Sequence, residues 1–197
     1  MFRVAFMLSC TLPLVGPWAT PVAAGDEPPA AVEKLLKAYC GKHGWARDKL
    51  ELWKSALAPP GRVFRYKLPA VPSKDPNLRL FERYAIVFVD PDAGNVYDLK
   101  RFRQDGMLDQ LAFAILVLMG TKVGDAKHAE AVMADLYRLQ WWLEFVHDYD
   151  DLIVQRMETF KSGNIRSYRA DFSAGWSYRT SVDADGYVTE FRIVNIR

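Results

Sequence analysis

The segment of residues 107–119 constrains the fold of this chain more than any other part of the sequence. Asp109 and Gln110 are its only polar residues. A helix that spans a bilayer needs about 20 apolar residues, and this segment has 13. A helix that is apolar on every side is buried in protein. The segment is therefore predicted to form a short helix in the core.

A longer helical pattern follows the glycines at 120 and 124, with Asp125 as its predicted N-cap. Apolar side chains then recur at alternating spacings of four and three, which predicts one long amphipathic helix from 126 to about 161. This apolar seam consists of Val132, Leu136, Leu139, Leu143, Val146, Ile153, Met157 and Phe160. Asp150 interrupts the seam, so a separate last helix capped by Asp150 is the alternative.

A short amphipathic helix is predicted at 31–40, before the first strands. Its apolar residues follow the helical repeat and are Val32, Leu35, Leu36, Tyr39 and Cys40. After this helix, apolar patterns of strand type predict four strands, at 50–57, 62–68, 83–89 and 96–99. The third strand is apolar on both faces, which predicts a central position in a sheet.

The C-terminal part carries three more strand patterns, at 165–172, 176–182 and 187–196, which predict a meander. One face of its middle strand is formed by Trp176, Tyr178, Thr180 and Val182. Together with the helices, these strands predict an α+β fold. Its antiparallel sheets are expected to pack against a long amphipathic helix and a short buried helix.

Residues 25–197 are predicted to form one α+β domain, and two related halves at 31–99 and 126–197 are the alternative. The halves share similar turn residues, at 90–95 and 183–186. Hairpin turns converge on Asp, Asn and Gly for reasons of backbone conformation alone. The likeness therefore favours coincidence over duplication.

Residues 1–24 have the features of a cleavable export signal. Arg3 provides a positive start, an apolar stretch runs from 4 to 15, and Val22 and Ala24 are the small residues at positions −3 and −1. A membrane anchor needs about 20 apolar residues, and this apolar stretch is shorter. Residues 25–197 are therefore expected to act in the periplasm or outside the cell, with no transmembrane segment.

The charge of the expected mature chain is balanced. The whole chain has 26 basic and 24 acidic side chains, and Arg3 is the only one of them in residues 1–24. Proteins that bind nucleic acids carry a clustered basic excess, so no nucleic-acid partner is expected.

Cys40 is the only cysteine after residue 24, so the mature chain has no internal disulfide. Its place on the apolar face of a helix indicates a buried thiol.

One helix face has the residue types of a catalytic or metal site. Its members are Glu144, His147, Asp148 and Asp151. The spacing Glu-x-x-His presents a carboxylate and an imidazole to a metal in helical bundles, where two such motifs are used. This chain has one, and the face lies opposite the apolar seam, which favours a solvated surface. We therefore predict no metal and no cofactor, and an envelope hydrolase or metal-dependent enzyme is the alternative function.

Aromatic residues are the other candidates for function. They are Trp141, Trp142, Phe145, Tyr149, Trp176 and Tyr178. Packing in the core is the simplest role for such residues, whereas exposed rings form partner surfaces or line ligand pockets. The sequence therefore predicts an exported binding module that uses these residues to hold a protein, a peptide or a small apolar ligand.

The N-terminal helix and strands also carry a family resemblance. The helix at 31–40, the strands after it and the hairpin sequence from Ile86 to Val96 are similar to a PepSY-type domain. Such domains are small exported or membrane-attached modules that are often linked to the control of peptidases. The resemblance covers 31–99, and the spacer at 67–81 is longer than in that family. It implies a fold for this part of the chain and no site residues.

Overall fold

The computed structural model describes residues 28–68, 84–100, 108–143, 153–173 and 175–195. Within them the chain forms three α-helices and two four-stranded antiparallel sheets, which confirms the predicted α+β class. The helices are α1 (Ala30–His43), α2 (Leu108–Leu118) and α3 (Ala126–Trp142). None of these helices is long and apolar enough to cross a membrane.

The first sheet is a meander whose strands follow the chain order. The strands are β1 (Leu50–Leu52), β2 (Val63–Lys67), β3 (Tyr84–Asp90) and β4 (Asn95–Asp98). The predicted strand at 50–57 is wrong beyond Leu52. The Trp53 amide still donates to Val63 of β2, but the Ala56 amide donates to Asp135 of α3, and the chain turns before Gly61. Pro59 and Pro60 lie in this turn and lack the N–H groups that a strand ladder needs.

Strand β3 has buried side chains on both faces, as its apolar sequence predicts. Val87 and Val89 pack with the buried side of α1. Ile86 and Phe88 belong to the larger core that contains α2 and α3. The Cys40 thiol lies in the α1 interface, and burial raises the pKa of this thiol. The first sheet is therefore covered by α1 on one face and by the larger core on the other.

The second sheet is also a meander in chain order. Its strands are β5 (Val154–Ser162), β6 (Ile165–Phe172), β7 (Trp176–Val182) and β8 (Val188–Asn195). Helix α2 runs beside β8, and α3 runs beside β5 and β6. The predicted burial of the short apolar helix on every side is wrong, because Val117 of α2 is 56% exposed. The larger core contains side chains from both sheets and from both helices. A helix followed by four meandering strands thus occurs twice, although an origin by duplication stays a hypothesis.

The predicted helix at 126–161 is wrong in its last part, because residues 154–162 form β5. The alternative of a separate last helix fails for the same reason, and Asp150 itself lies outside the described residues. Met157 packs against the core, whereas Phe160 is 55% exposed on the opposite face. The two residues are three apart, which suits one helix face and equally suits opposite faces of a strand. Hydrogen bonding of residues 154–162 to β6 makes this segment a strand.

The turn between β7 and β8 is fixed to the connection between α2 and α3. The Val123 amide donates a hydrogen bond of 2.8 Å to the Gly186 carbonyl oxygen. Gly186 has a positive φ of 88°, and a Cβ there would lie 2.8 Å from the Val123 carbonyl oxygen. A glycine is required at this approach because any side chain would be both strained and too close. The hairpin that carries half of the second sheet is thereby held against the helices.

Candidate binding face

The predicted metal or catalytic face lies outside the described residues, with all its members Glu144, His147, Asp148 and Asp151. Phe145 and Tyr149 of the predicted aromatic group lie outside them as well. Within the part of the chain that the structure describes, no group of three or more histidine, cysteine or acidic side chains is placed to hold a metal ion. The enzyme alternative stays a prediction from the sequence.

The tryptophans of the predicted binding group do not form one exposed surface. Trp142 is 8% exposed, and its ring centroid lies 4.9 Å from those of Trp53 and Tyr84 in the core. Trp141 and Trp176 are half-buried against the same core. The Trp142 ring stabilises the packing of α3 against the first sheet. A binding role for the three tryptophans stays a prediction.

Tyr178 lies deeper still, at 1% exposed. Its ring packs edge-on against those of Phe172 and Phe191, and its hydroxyl donates to the side-chain oxygen of Gln140 on α3. Burial raises the pKa of the Tyr178 phenol well above its ordinary value. Tyr178 therefore joins the second sheet to α3 and presents no surface to a partner.

The face of the second sheet that points away from α2 and α3, the outer face, is organised in rows that cross the strands. Residues directly opposite each other on the four strands make up each row. The arginine row contains Glu158, Arg169, Arg179 and Arg192. The adjacent serine row contains Phe160, Ser167, Ser181 and Glu190. Three guanidinium groups thus stand on three neighbouring strands, which are about 4.8 Å apart.

The arginines point outward because their neighbours along each strand are buried. Arg169 lies between Tyr168 and Ala170, both of which are in the core. The same alternation turns Arg179 and Arg192 outward on β7 and β8. Since successive side chains of a strand point to opposite faces, burial of the apolar residues fixes the arginine row on the outside.

Carboxylates neutralise the two ends of the arginine row. Arg169 donates from Nε to Asp171 Oδ1 at 2.8 Å, and its Nη1 lies 3.7 Å from Glu158 Oε2. At the other end, Arg192 donates from Nε to Glu190 Oε1 at 2.6 Å. Each of the two outer guanidinium groups therefore has an acidic partner on the same face.

Asp171 keeps its charge in this arrangement. Burial raises the pKa of the Asp171 carboxyl, but hydrogen bonds from Arg169 and Ser177 and the charges of Arg169 and Arg156 outweigh it. The pKa of the carboxyl consequently lies below its ordinary value. The carboxylate is ionised at neutral pH and holds the Arg169 side chain in place.

Arg179, at the centre of the row, differs from its neighbours. It is exposed and makes no hydrogen bond or ion pair with the residues that the structure describes. Its cross-strand neighbours are Arg169 and Arg192. Like charges directly opposite each other destabilise a sheet, within a range of about 0.2–1 kcal/mol per pair. A free guanidinium with flanking positive charge is suited to bind an anion through two parallel hydrogen bonds.

A groove of about 480 Å³ lies along the two rows and is open to solvent. Its floor includes Ser167 and Ser181, whose hydroxyl oxygens are 3.0 Å apart. The depression arises because these small side chains stand beside the long arginines. The charged residues that line it are the three arginines and Glu190, which gives a net charge of +2. The volume lies within the range of ligand sites, about 300–1,000 Å³.

A larger cleft of about 700 Å³ lies between the first sheet and the connection from α2 to α3. Its charged side chains have partners within the protein. Arg62 is 3.2 Å from Asp92, and the Lys122 ammonium lies 4.3 Å from the centroid of the Tyr187 ring. This cleft has no counterpart to the unpaired Arg179, so the groove on the outer face is the stronger candidate for a binding site.

Comparison of the chain with models of known families, with curated proteins and with solved structures found no match. The resemblance of residues 31–99 to a PepSY-type domain therefore stays a prediction.

Replacement of Arg179 by glutamine is expected to raise the free energy of unfolding by about 0.5 kcal/mol, because it removes like-charge repulsion and no ion pair. The gain should shrink in 1 M salt, where the screening length falls to about 3 Å. Urea unfolding of the wild type and of Arg179→Gln at both salt concentrations measures this. Arg192→Gln serves as the control, since it loses its pair with Glu190 and should gain less. A lower stability of Arg179→Gln at low salt would show that Arg179 makes a stabilising contact within the protein.

Proposed function

We propose that the protein is an exported binding module that takes an anionic ligand in the groove on the outer face of its second sheet. The unpaired guanidinium of Arg179, between two other arginines, is the observation that carries this proposal. Within the described residues, Arg179 itself adds like-charge repulsion and no ion pair to the folded chain. An anion would neutralise it and accept charge-assisted hydrogen bonds, which are the strong class of hydrogen bond.

The chemistry of the groove supports binding more than catalysis. Ser167 and Ser181 are hydrogen-bonded to each other. A serine nucleophile needs a general base within hydrogen-bond reach. The described residues that line the groove include no histidine or lysine, and the Glu190 carboxylate accepts from Arg192 and from neither serine. A guanidinium group donates several hydrogen bonds and accepts none, which suits the binding of an anion.

The export half of the proposal rests on residues 1–24. Arg3, the apolar stretch after it and the small residues Val22 and Ala24 follow the pattern of a secretory signal. A mature chain without an internal disulfide must then be stabilised by packing and hydrogen bonds. The larger core, which joins both sheets through α2 and α3, provides this stabilisation.

Binding of immobilised polyanions tests the ligand half of the proposal. Residues 25–197 would be measured by biolayer interferometry against dextran sulfate, poly-L-glutamate and polygalacturonate at low salt. We expect saturable binding of at least one polymer, weaker at higher salt because surface charges are screened. Arg179→Gln should weaken this binding about tenfold, which corresponds to about 1.4 kcal/mol, and Arg179→Glu should abolish it.

Lys127→Gln is the matched control, because Lys127 is an exposed cation on α3, away from the outer face. It should leave every affinity unchanged. The proposal is contradicted if none of the three polymers binds, or if Lys127→Gln weakens binding as much as Arg179→Gln does.

Expression of the full chain in a bacterium with a secretory pathway tests export. The protein recovered outside the cytoplasm should begin at Gly25, which intact-mass measurement and N-terminal sequencing will show. Replacement of Ala24 by a bulky residue should block cleavage at this site, because small residues are required at −1 and −3. Retention of the full-length wild-type chain in the cytoplasm would contradict the export half.

A further inference from the structure

We infer that the ligand of the groove is a carboxylated sugar, such as a uronic acid within an acidic polysaccharide. This inference rests on the proposed function, because it assumes that an anion binds beside Arg179. It follows from three chemical groups that the sheet register brings together: one unpaired guanidinium, a pair of hydroxyls beside a carboxylate, and one exposed aromatic ring.

The charge of the groove suits a ligand with few charges. Only Arg179 lacks an acidic partner among the described residues of the arginine row, since Arg169 and Arg192 are paired at the two ends. A densely charged ligand, such as a polyphosphate, would have to displace these ion pairs. A sugar acid carries one carboxylate and several neutral hydroxyls per unit, so one unit can place its carboxylate on Arg179 without displacing an ion pair.

The serine row supplies the partners that sugar hydroxyls need. The hydroxyls of Ser167 and Ser181 each donate and accept hydrogen bonds, and they form the floor of the groove beside Arg179. Glu190 ends the row, and its Oε1 accepts from Arg192. A carboxylate has about four lone-pair sites, so Glu190 can also accept from a ligand hydroxyl. A carboxylate in this position favours a hydroxyl group of the ligand as its neighbour.

Phe160 provides an apolar surface at the other end of the serine row. Its side chain is 55% exposed, although it lies directly opposite Ser167 on the outer face. Its ring lines the groove, and the C–H face of a sugar ring can bury apolar area against it. Glu190 and Phe160 thus bound a strip of hydroxyls that lies parallel to the arginine row.

An acidic peptide is the rival ligand, because its carboxylate can bind Arg179 as well as that of a sugar acid can. The two ligands differ in what lies beside the carboxylate. Each sugar unit carries several hydroxyls, which donate and accept hydrogen bonds as the Ser167 and Ser181 hydroxyls do. It also has an apolar C–H face for the Phe160 ring. A run of acidic residues offers backbone amides and methylenes instead, so the serine row and Phe160 favour the sugar.

Isothermal titration calorimetry on residues 25–197 separates the two ligands. The probes are trigalacturonate, trimannuronate, the neutral trisaccharide galactotriose and the peptide triglutamate. We expect at least one of the two uronate trimers to bind about tenfold or more tightly than both galactotriose and triglutamate, a difference of about 1.4 kcal/mol. The two uronate trimers show which sugar stereochemistry the groove prefers.

Variants of the face give the second arm of the experiment. Phe160→Ala should weaken binding of the preferred uronate trimer severalfold and leave triglutamate unchanged. Val194→Ala is the matched control, because Val194 is a partly exposed apolar residue on the same face and does not line the groove. Thermal unfolding of each variant checks that the fold is intact.

The sugar inference is overturned if triglutamate or galactotriose binds as tightly as both uronate trimers, or if Phe160→Ala and Val194→Ala have equal effects. If triglutamate and the uronate trimers bind equally tightly, and Arg179→Gln weakens both, the proposed function stands and only the sugar inference fails. If no anionic probe binds, the proposed function itself fails.

Discussion

The antiparallel register of the second sheet is the constraint on which the rest of the account depends. Tyr168, Tyr178 and Phe191 are buried against the helices, and alternate residues of a strand must point the other way. Register and burial together place three arginines opposite one another. A slip of one residue would turn a whole strand over and force an arginine into the core. The apolar face of the sheet therefore determines the charge pattern of the outer face.

The outer face thus combines stabilising ion pairs with destabilising repulsion between like charges. Its ends are neutralised by ion pairs, such as that between Arg169 and Asp171, while its centre keeps unrelieved positive charge at Arg179. Exposed ion pairs contribute about 0–1 kcal/mol each, which is similar in size to the repulsion along the row. The larger core, which joins both sheets to α2 and α3, supplies most of the stability. The chain can accordingly tolerate an unpaired charge on its surface.

Sequence patterns predict the elements whose apolar residues allow only one structure. The apolar segment at 107–119 predicts helix α2, although its expected burial on every side is wrong, because Val117 is 56% exposed. The doubly covered strand β3 and the strands of the C-terminal meander also carry such patterns. Strand β5 does not, because its few apolar residues fit a helix and a strand equally well. The arginine row is not visible in the sequence, since residues 169, 179 and 192 meet only through strand pairing. The aromatic residues were visible, but spacing alone does not separate a core ring such as Tyr178 from an exposed ring such as Phe160.

The availability of the Arg179 guanidinium is the central claim, and NMR of the arginine Nε–Hε groups tests it most directly. In the free protein, the Arg169 Nε–Hε signal should exchange slowly with water because it donates to Asp171. The Arg179 signal should exchange fast, and it should shift and become protected when trigalacturonate or trimannuronate is added. An Arg179 signal that is already protected in the free protein, and that no anion shifts, would contradict the account.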